Sequence, residues 1–178
     1  MKQLVKQRMK QATEKQNLFI PFITAGDPTA DATVEIALAL EEAGASILEL
    51  GIPYSDPIAD GPTIQAASKR ALEDGMTLER ALQLVPKMRS RGLKIPVIIF
   101  TYYNLLMQYG EVRFTEQASA SGSMVCSFRI CRLKKARNWL TDAKATICRS
   151  FRSSPQPRKI GSPKSPSKRK DFFTVFRL

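Results

Sequence analysis

An acidic residue lies inside a short apolar segment in the first third of the chain. Residues 47–50 have the length and composition of a buried strand, and Glu49 stands within them. A carboxylate on a buried strand must be paired or have its pKa raised, and a raised pKa suits a group that transfers protons. Glu49 is therefore a candidate catalytic acid, and a buried structural ion pair is the alternative.

The residues that follow this strand predict a loop. Prolines and glycines exclude regular structure between residues 51 and 62, and the same segment carries Asp56 and Asp60. An acid near the carboxyl end of a parallel strand, followed by an acid-bearing loop, is typical of active sites in α/β barrels. Taken alone, Asp60 would be interpreted more simply as a loop acid that faces water.

The order of the elements predicts an α/β fold. Apolar segments indicate strands, and i, i+3, i+4 periodicity between capping residues and glycines indicates helices. The alternation of the two predicts parallel strands joined by right-handed crossovers. A (β/α)8 barrel usually takes about 250 residues, so 178 residues predict an incomplete TIM barrel. We expect strands at 18–24, 47–50 and 96–101, and helices at 2–14, 33–43, 64–74, 77–91 (kinked at Pro86) and 111–120.

The charge distribution divides the chain at Gly122. Of the 28 Lys and Arg residues, 15 lie after this position, against 2 of the 16 Asp and Glu residues. Residues 153–170 are rich in Ser, Pro, Lys and Arg, a composition that buries too little apolar area to offset chain entropy. The sequence predicts part of a TIM barrel over 1–122 and a basic, disordered tail over 123–178.

Residues 47–65 read Ile-Leu-Glu-Leu-Gly-Ile-Pro-Tyr-Ser-Asp-Pro-Ile-Ala-Asp-Gly-Pro-Thr-Ile-Gln. This resembles the E-L-G-x-P-x-S-D-P-x-A-D-G-P-x-I-Q signature of the tryptophan synthase alpha chain family. Residues 19–28 and 96–105, the latter with Tyr102 and Asn104, resemble neighbouring motifs of that family. The resemblance covers about the first two-thirds of the chain. It implies a cytoplasmic lyase of tryptophan biosynthesis that cleaves indole-3-glycerol phosphate to indole and glyceraldehyde 3-phosphate without metal or cofactor.

The resemblance also implies roles for particular residues. Glu49 would protonate indole C3 and remove the proton of the adjacent glycerol hydroxyl, while Asp60 would bind the indole N–H and stabilise the cationic intermediate. Phe22, Phe100 and Tyr102 would form the walls of the indole pocket. For these three aromatic residues, ordinary core packing is an equally good interpretation of the spacing.

The family pairs with a tryptophan synthase beta chain in an α2β2 tetramer. By resemblance, Pro53, Asp56 and Pro57 would lie on the loop that faces this partner, and a solvated turn is the alternative. The loops that form the family's phosphate site follow later strands, which have no counterpart in this sequence. We therefore expect a truncated chain with weak substrate binding and little or no turnover.

A shift of the reading frame would explain the composition of the tail. Codons exist for residues 123–133 that, read one base out of phase, encode Ile-Asp-Gly-Val-Phe-Val-Pro-Asp-Leu-Pro. Residues 148–156 and 170–178 can be reread in the same way, and all three products resemble later strands of the family in the right order. A single lost nucleotide beside the Gly122 codon explains them together. The alternatives are a nonspecific nucleic-acid-binding module that uses the basic tail, or a gene remnant without function.

Composition excludes several other classes. The chain has no histidine, so an imidazole ligand or a His-based triad is unavailable, and its three cysteines lack the fourth ligand of a zinc site. No apolar segment approaches the roughly 20 residues of a membrane span. The basic amino terminus has no apolar core, so we expect no secretory signal and a cytoplasmic location.

Overall fold

The computed structural model describes residues 2–14, 17–58 and 60–129. Within them, four parallel strands form one sheet in the order β1-β2-β3-β4, and helices connect consecutive strands. This confirms the predicted parallel α/β arrangement. The strands are β1 (Phe22–Thr24), β2 (Leu48–Gly51), β3 (Val97–Tyr102) and β4 (Met124–Arg129); the helices are α1 (Lys2–Thr13), α2 (Ala30–Glu42), α3 (Pro62–Glu73), α4 (Leu78–Ser90), α5 (Tyr103–Tyr109) and α6 (Glu111–Ser121).

Threonine side chains fix the starts of two helices. The Thr29 hydroxyl accepts a hydrogen bond from the Ala32 amide at 3.1 Å, and the Thr77 hydroxyl accepts one from Arg80 at 3.2 Å. These bonds satisfy amides that have no partner within the first turn of a helix. At the other end of α4, Gly92 takes a φ of 107°, a left-handed conformation that suits glycine.

The sheet buries a different set of side chains on each face. One face packs against the helices α2, α4 and α6, through buried side chains that include Leu48, Leu50, Val97, Ile99, Val34, Val85, Met88 and Phe114. On the opposite face, Ile47 and Ile98 contact Met9 and Ala12 of α1. The first helix therefore covers the amino-terminal end of this second face, as its apolar stripe predicts for Met9.

One predicted strand is shorter than expected, and one helix was not expected. The first strand begins at Phe22 and not at residue 18, because Pro21 has no amide to donate. Its carbonyl still accepts from the Glu49 amide at 2.9 Å. Helix α5 was not expected, because it follows β3 directly and has no polar capping side chain at its start. Helix α4 is continuous through Pro86.

The sheet continues beyond the predicted boundary at Gly122. Strand β4 pairs with β3 from Ile98↔Met124 to Tyr102↔Arg129, with a register shift between Ile99 and Phe100. The expectation of disorder from residue 123 onward is therefore wrong for 124–129. The apolar and β-branched residues at the start of the predicted tail can pair with the edge of β3, which composition averaged over the whole tail conceals. Residues 130–178 of that tail lie outside the described residues.

Ion pairs join α2 to α4 on the surface. Lys87 donates to the Asp31 carboxylate, and Arg91 donates to the Glu35 carboxylate. The hydrogen bond and charge of Lys87 hold the pKa of Asp31 below its usual value, and Glu35 raises the pKa of Arg91. Opposite charges favour the ionised form of each partner, so these contacts stabilise the helix pair most when both groups are charged.

Candidate active site

The register of the sheet aligns Glu49 with two aromatic positions. Phe22 of β1 is the partner of Glu49 on β2, and Gly51 is the partner of Phe100 on β3. Residues paired across a parallel sheet point to the same face, and so do residues two apart on one strand. Phe22, Glu49 and Phe100 therefore share the face of the sheet opposite α2, α4 and α6.

Two aromatic rings meet above Gly51. The rings of Phe22 and Phe100 are 5.6 Å apart between centroids and lie at 85°, an edge-to-face contact. A β-carbon on Gly51 would lie 2.3 Å from Cζ of Phe22. Only glycine at this position leaves space for the Phe22 ring beside Phe100.

The acid-bearing loop is joined to β3 through Asp60. The hydroxyl of Tyr102, a residue only 4% exposed, donates to Oδ2 of Asp60 at 2.8 Å. The main chain of Asp60 is held as well, because its amide donates to the Pro57 carbonyl at 3.0 Å and its carbonyl accepts from Nε2 of Gln65 at 2.8 Å. Both the side chain and the backbone of Asp60 are thus fixed by groups from other parts of the chain.

Tyr54 makes a second connection between the loop and β3. Its ring lies 4.7 Å from that of Tyr102, at an angle of 35°. The side-chain amide of Asn104, in the first turn of α5, donates to the Tyr54 hydroxyl. Tyr102 is therefore enclosed between the loop and the strand that carries it.

A small cavity lies between these groups. It has a volume of about 10 Å3, close to the space needed for one water molecule. The paired Phe22 and Phe100 rings occupy the adjoining space. The cavity is lined by Phe22, Thr24, Gly51, Ile52, Asp60, Ile64, Ser68, Phe100 and Tyr102.

The structure brings most of the predicted site residues together. Asp60 and Tyr102 share a hydrogen bond, and Phe22 and Phe100 share a ring contact. Glu49 lies on the same face but nearer the amino-terminal end of β2 and does not line the cavity. Its Oε2 atom is buried, as expected for an acid on an internal strand.

The loop residues predicted to face a partner do not share one environment. Asp56 is exposed and Pro57 is partly exposed, whereas Pro53 is buried. Pro53 is therefore not part of the loop's surface in this structure. Ile58, at 84% exposure, presents more apolar area to solvent than either proline.

Sequence reasoning assigned no role to Tyr54 and Gln65, although both belong to the motif that it singled out. An aromatic residue directly after a strand and an amide at the start of the next helix were the available signals. Their partners, Tyr102 and the Asp60 carbonyl, are 48 and 5 residues away and become neighbours only in the folded chain.

Within the described part of the chain, no helix is long and apolar enough to cross a membrane, and no cluster of His, Cys, Asp and Glu residues could hold a metal ion. The expectation that the chain uses neither metal nor cofactor stays a prediction.

The parallel sheet, its connecting helices and the acids near the strand ends define part of a (β/α)8 barrel with a candidate active site at the carboxyl ends of its strands. The family model for the tryptophan synthase alpha chain matches residues 8–130. The chain belongs to the tryptophan synthase alpha chain family.

Individual relatives agree with this assignment. The tryptophan synthase alpha chain of Halalkalibacterium halodurans is 72% identical over 105 residues, which are 59% of this chain and 40% of the relative. That of Geobacillus kaustophilus is 62% identical over 106 residues, again 40% of its length. The chain thus spans about two-fifths of the length of these relatives.

Solved structures extend the comparison. Tryptophan synthase subunit alpha from Legionella pneumophila matches 70% of this chain and 47% of its own, with a TM-score of 0.63 and 39% identity. The aminoacrylate-bound tryptophan synthase from M. tuberculosis matches 79% of this chain and 57% of its own, with a TM-score of 0.69 and 28% identity.

Proposed function

We propose that this chain supplies the indole-binding, proton-transferring half of an indole-3-glycerol-phosphate lyase site. The observation that carries the proposal is the Tyr102–Asp60 hydrogen bond, which fixes a loop carboxylate beside the aromatic face that also carries Glu49. Membership of the family supports the choice of substrate, and tryptophan biosynthesis in the cytoplasm is the corresponding pathway and location.

The reaction divides between the two acids. Protonated Glu49 donates a proton to indole C3, and Asp60 stabilises the positive charge that develops at the indole nitrogen. The Glu49 carboxylate then takes the proton of the glycerol hydroxyl next to the bond that breaks. The electrons of that carbon–carbon bond return to the ring, which yields indole and glyceraldehyde 3-phosphate. One carboxyl group performs both transfers, which requires a pKa near neutrality.

Substrate entry requires a local rearrangement. Because the cavity holds about one water molecule, we expect an indole ring to displace Phe22 or Phe100 from their contact. We propose that these rings and Tyr102 then line the indole pocket. The exposed side of the loop, with Asp56, Pro57 and Ile58, is the surface we assign to a tryptophan synthase beta chain.

The test asks whether residues 1–122 support the reaction once the missing part of the barrel is supplied. A chimera joins residues 1–122 of this chain to the corresponding carboxyl-terminal segment of the Halalkalibacterium halodurans relative, and indole release is measured beside the 178-residue chain. We expect turnover in the chimera, and a loss of at least 100-fold in Glu49→Gln and Asp60→Asn. Glu73→Gln, on the exposed face of α3, should retain activity. Full activity of the Glu49→Gln chimera would refute the assignment.

For the basic segment, we propose the shifted reading frame described above. Sequencing the coding DNA across the codons for residues 121–125 tests it. An additional nucleotide in the DNA would restore a continuous family sequence. The proposal would be refuted if the DNA encodes the present residues and the genes of related strains show that no nucleotide was lost at this position. The nucleic-acid alternative predicts binding that persists at physiological salt, whereas a merely basic segment loses binding as salt rises.

A further inference from the structure

The acid-bearing loop between β2 and α3 ends at a side chain that no mechanistic role explains. Gln65 lies in the first turns of α3, and its Nε2 donates to the Asp60 carbonyl at 2.8 Å and approaches the Pro57 carbonyl at 3.5 Å. The Asp60 amide itself donates to that same Pro57 carbonyl at 3.0 Å. The side-chain amide of Gln65 thus contacts the carbonyls of both Pro57 and Asp60, which lie in the last turn of the loop.

We infer that Gln65 is a positioning residue, which sets the backbone of Asp60 so that its carboxylate meets the Tyr102 hydroxyl. The catalytic role of Asp60 rests on the proposed lyase function. The position of its carboxylate beside the Tyr102 hydroxyl does not depend on that function.

The geometry gives Asp60 two independent supports. Tyr102 is rigid, because it lies on β3 with 4% exposure, and its hydroxyl fixes the carboxylate from one side. The loop has no regular structure, and the segment from Ser55 to Ile58 is largely exposed. Without a support at the backbone, the carboxylate would follow the motions of the loop and meet the hydroxyl only part of the time.

The chemistry of the side chain matters because both of its partners are carbonyl oxygens. An amide or an ammonium group can donate to them, a thioether cannot, and a carboxylate would repel them. Helix α3 is itself anchored to the β1–α2 turn by the bidentate Arg70–Asp27 pair at 2.8 and 2.9 Å. Gln65 therefore transmits the position of a fixed helix to the loop.

The experiment uses the full chain labelled with 3-fluorotyrosine, observed by 19F NMR. The chain has four tyrosines, and substitution by Phe assigns the Tyr102 resonance. We expect Gln65→Met to displace this resonance in the same direction as Asp60→Asn, and the double variant to add no further displacement. The Tyr103 and Tyr109 resonances, from side chains bonded to Glu111 and Gln117, should not move.

Two further variants keep the inference falsifiable. Gln65→Lys keeps a donor at similar length and should return the Tyr102 resonance to its original position. Gln83→Met, on the exposed face of α4, is the matched control and should change nothing. An unmoved Tyr102 resonance in Gln65→Met, or equal displacement in the Lys and Met variants, would overturn the inference.

The chimera separates this result from the lyase proposal. There, we expect Gln65→Met to lower kcat about tenfold with less than a twofold change in KM. Absent turnover in the unmodified chimera would refute the lyase function and leave the NMR result standing. Normal turnover with unchanged kcat in Gln65→Met would refute the positioning role alone.

Discussion

The Tyr102 hydroxyl donates a 2.8 Å hydrogen bond to Oδ2 of Asp60 across 42 residues of sequence. It joins a buried strand residue to a loop that has no regular structure of its own. A hydrogen bond to a charged group contributes more than one between neutral groups.

We therefore expect Tyr102→Phe to lower the free energy of unfolding by about 1–2 kcal/mol. Urea denaturation of the full chain, followed by circular dichroism, measures the loss. Tyr109→Phe is the matched control, because it removes a hydroxyl that donates to the neutral Gln117 side chain. Equal losses in the two variants would mean that the charge of Asp60 contributes nothing to the bond.

Gly51→Ala should be destabilising by about 1–3 kcal/mol, because its new methyl group would overlap the Phe22 ring. Gly61→Ala provides the comparison, since a β-carbon there meets nothing within 4 Å and its φ of −74° suits any residue. Thermal unfolding of both variants and of Gly51→Ala with Phe22→Leu measures the effect. If the smaller Leu side chain does not recover part of the lost stability, overlap between the new methyl group and the Phe22 ring is not the cause of that loss.

Thr33→Val tests a buried hydrogen bond at the start of α2. The Thr33 hydroxyl is fully buried, accepts from the Gly26 amide at 2.9 Å and donates to the Thr29 carbonyl at 2.8 Å. Valine has the same shape but leaves the amide without its acceptor, so we expect a loss of about 1–3 kcal/mol. Thr63→Val, at an exposed position of α3, should change the unfolding midpoint far less.

The Asp31–Lys87 pair predicts a dependence of stability on pH. Lys87 lowers the pKa of Asp31, so the folded chain binds the proton less tightly than the unfolded chain does. The stabilisation is fully present above the ordinary value of 3.8 and is lost as pH falls through the lower folded value. Thermal midpoints between pH 5 and pH 2 should fall less steeply in Asp31→Asn than in the unmodified chain. Parallel curves would contradict the prediction, and 1 M salt should reduce the difference.

Local sequence patterns were sufficient to predict the strands and helices whose periodicity or capping residues are clear. The four-residue strand around Glu49 and the helix capped by Thr77 follow from apolar periodicity and a capping residue, which act within a few positions. Helix α2 begins at Ala30, three residues before the expected start at residue 33. The patterns failed where a neighbouring strand decided the outcome. Strand β4 forms because β3 offers it a hydrogen-bonding edge, and the expected seven-residue first strand shortens to three.

The sequence by itself determined the family and the parallel order of the strands, and it selected Glu49 and Asp60 as candidate acids, because these depend on a continuous motif and on short-range periodicity. The tertiary structure decided which groups support Asp60. Gln65 and Tyr102 converge on the loop, and Tyr54 of the loop packs on Tyr102, because the crossovers bring the end of β3 and the start of α3 beside the loop. The burial of Pro53 was likewise decided by packing. Such contacts depend on distances between residues that are remote in the chain, and a linear pattern does not encode those distances.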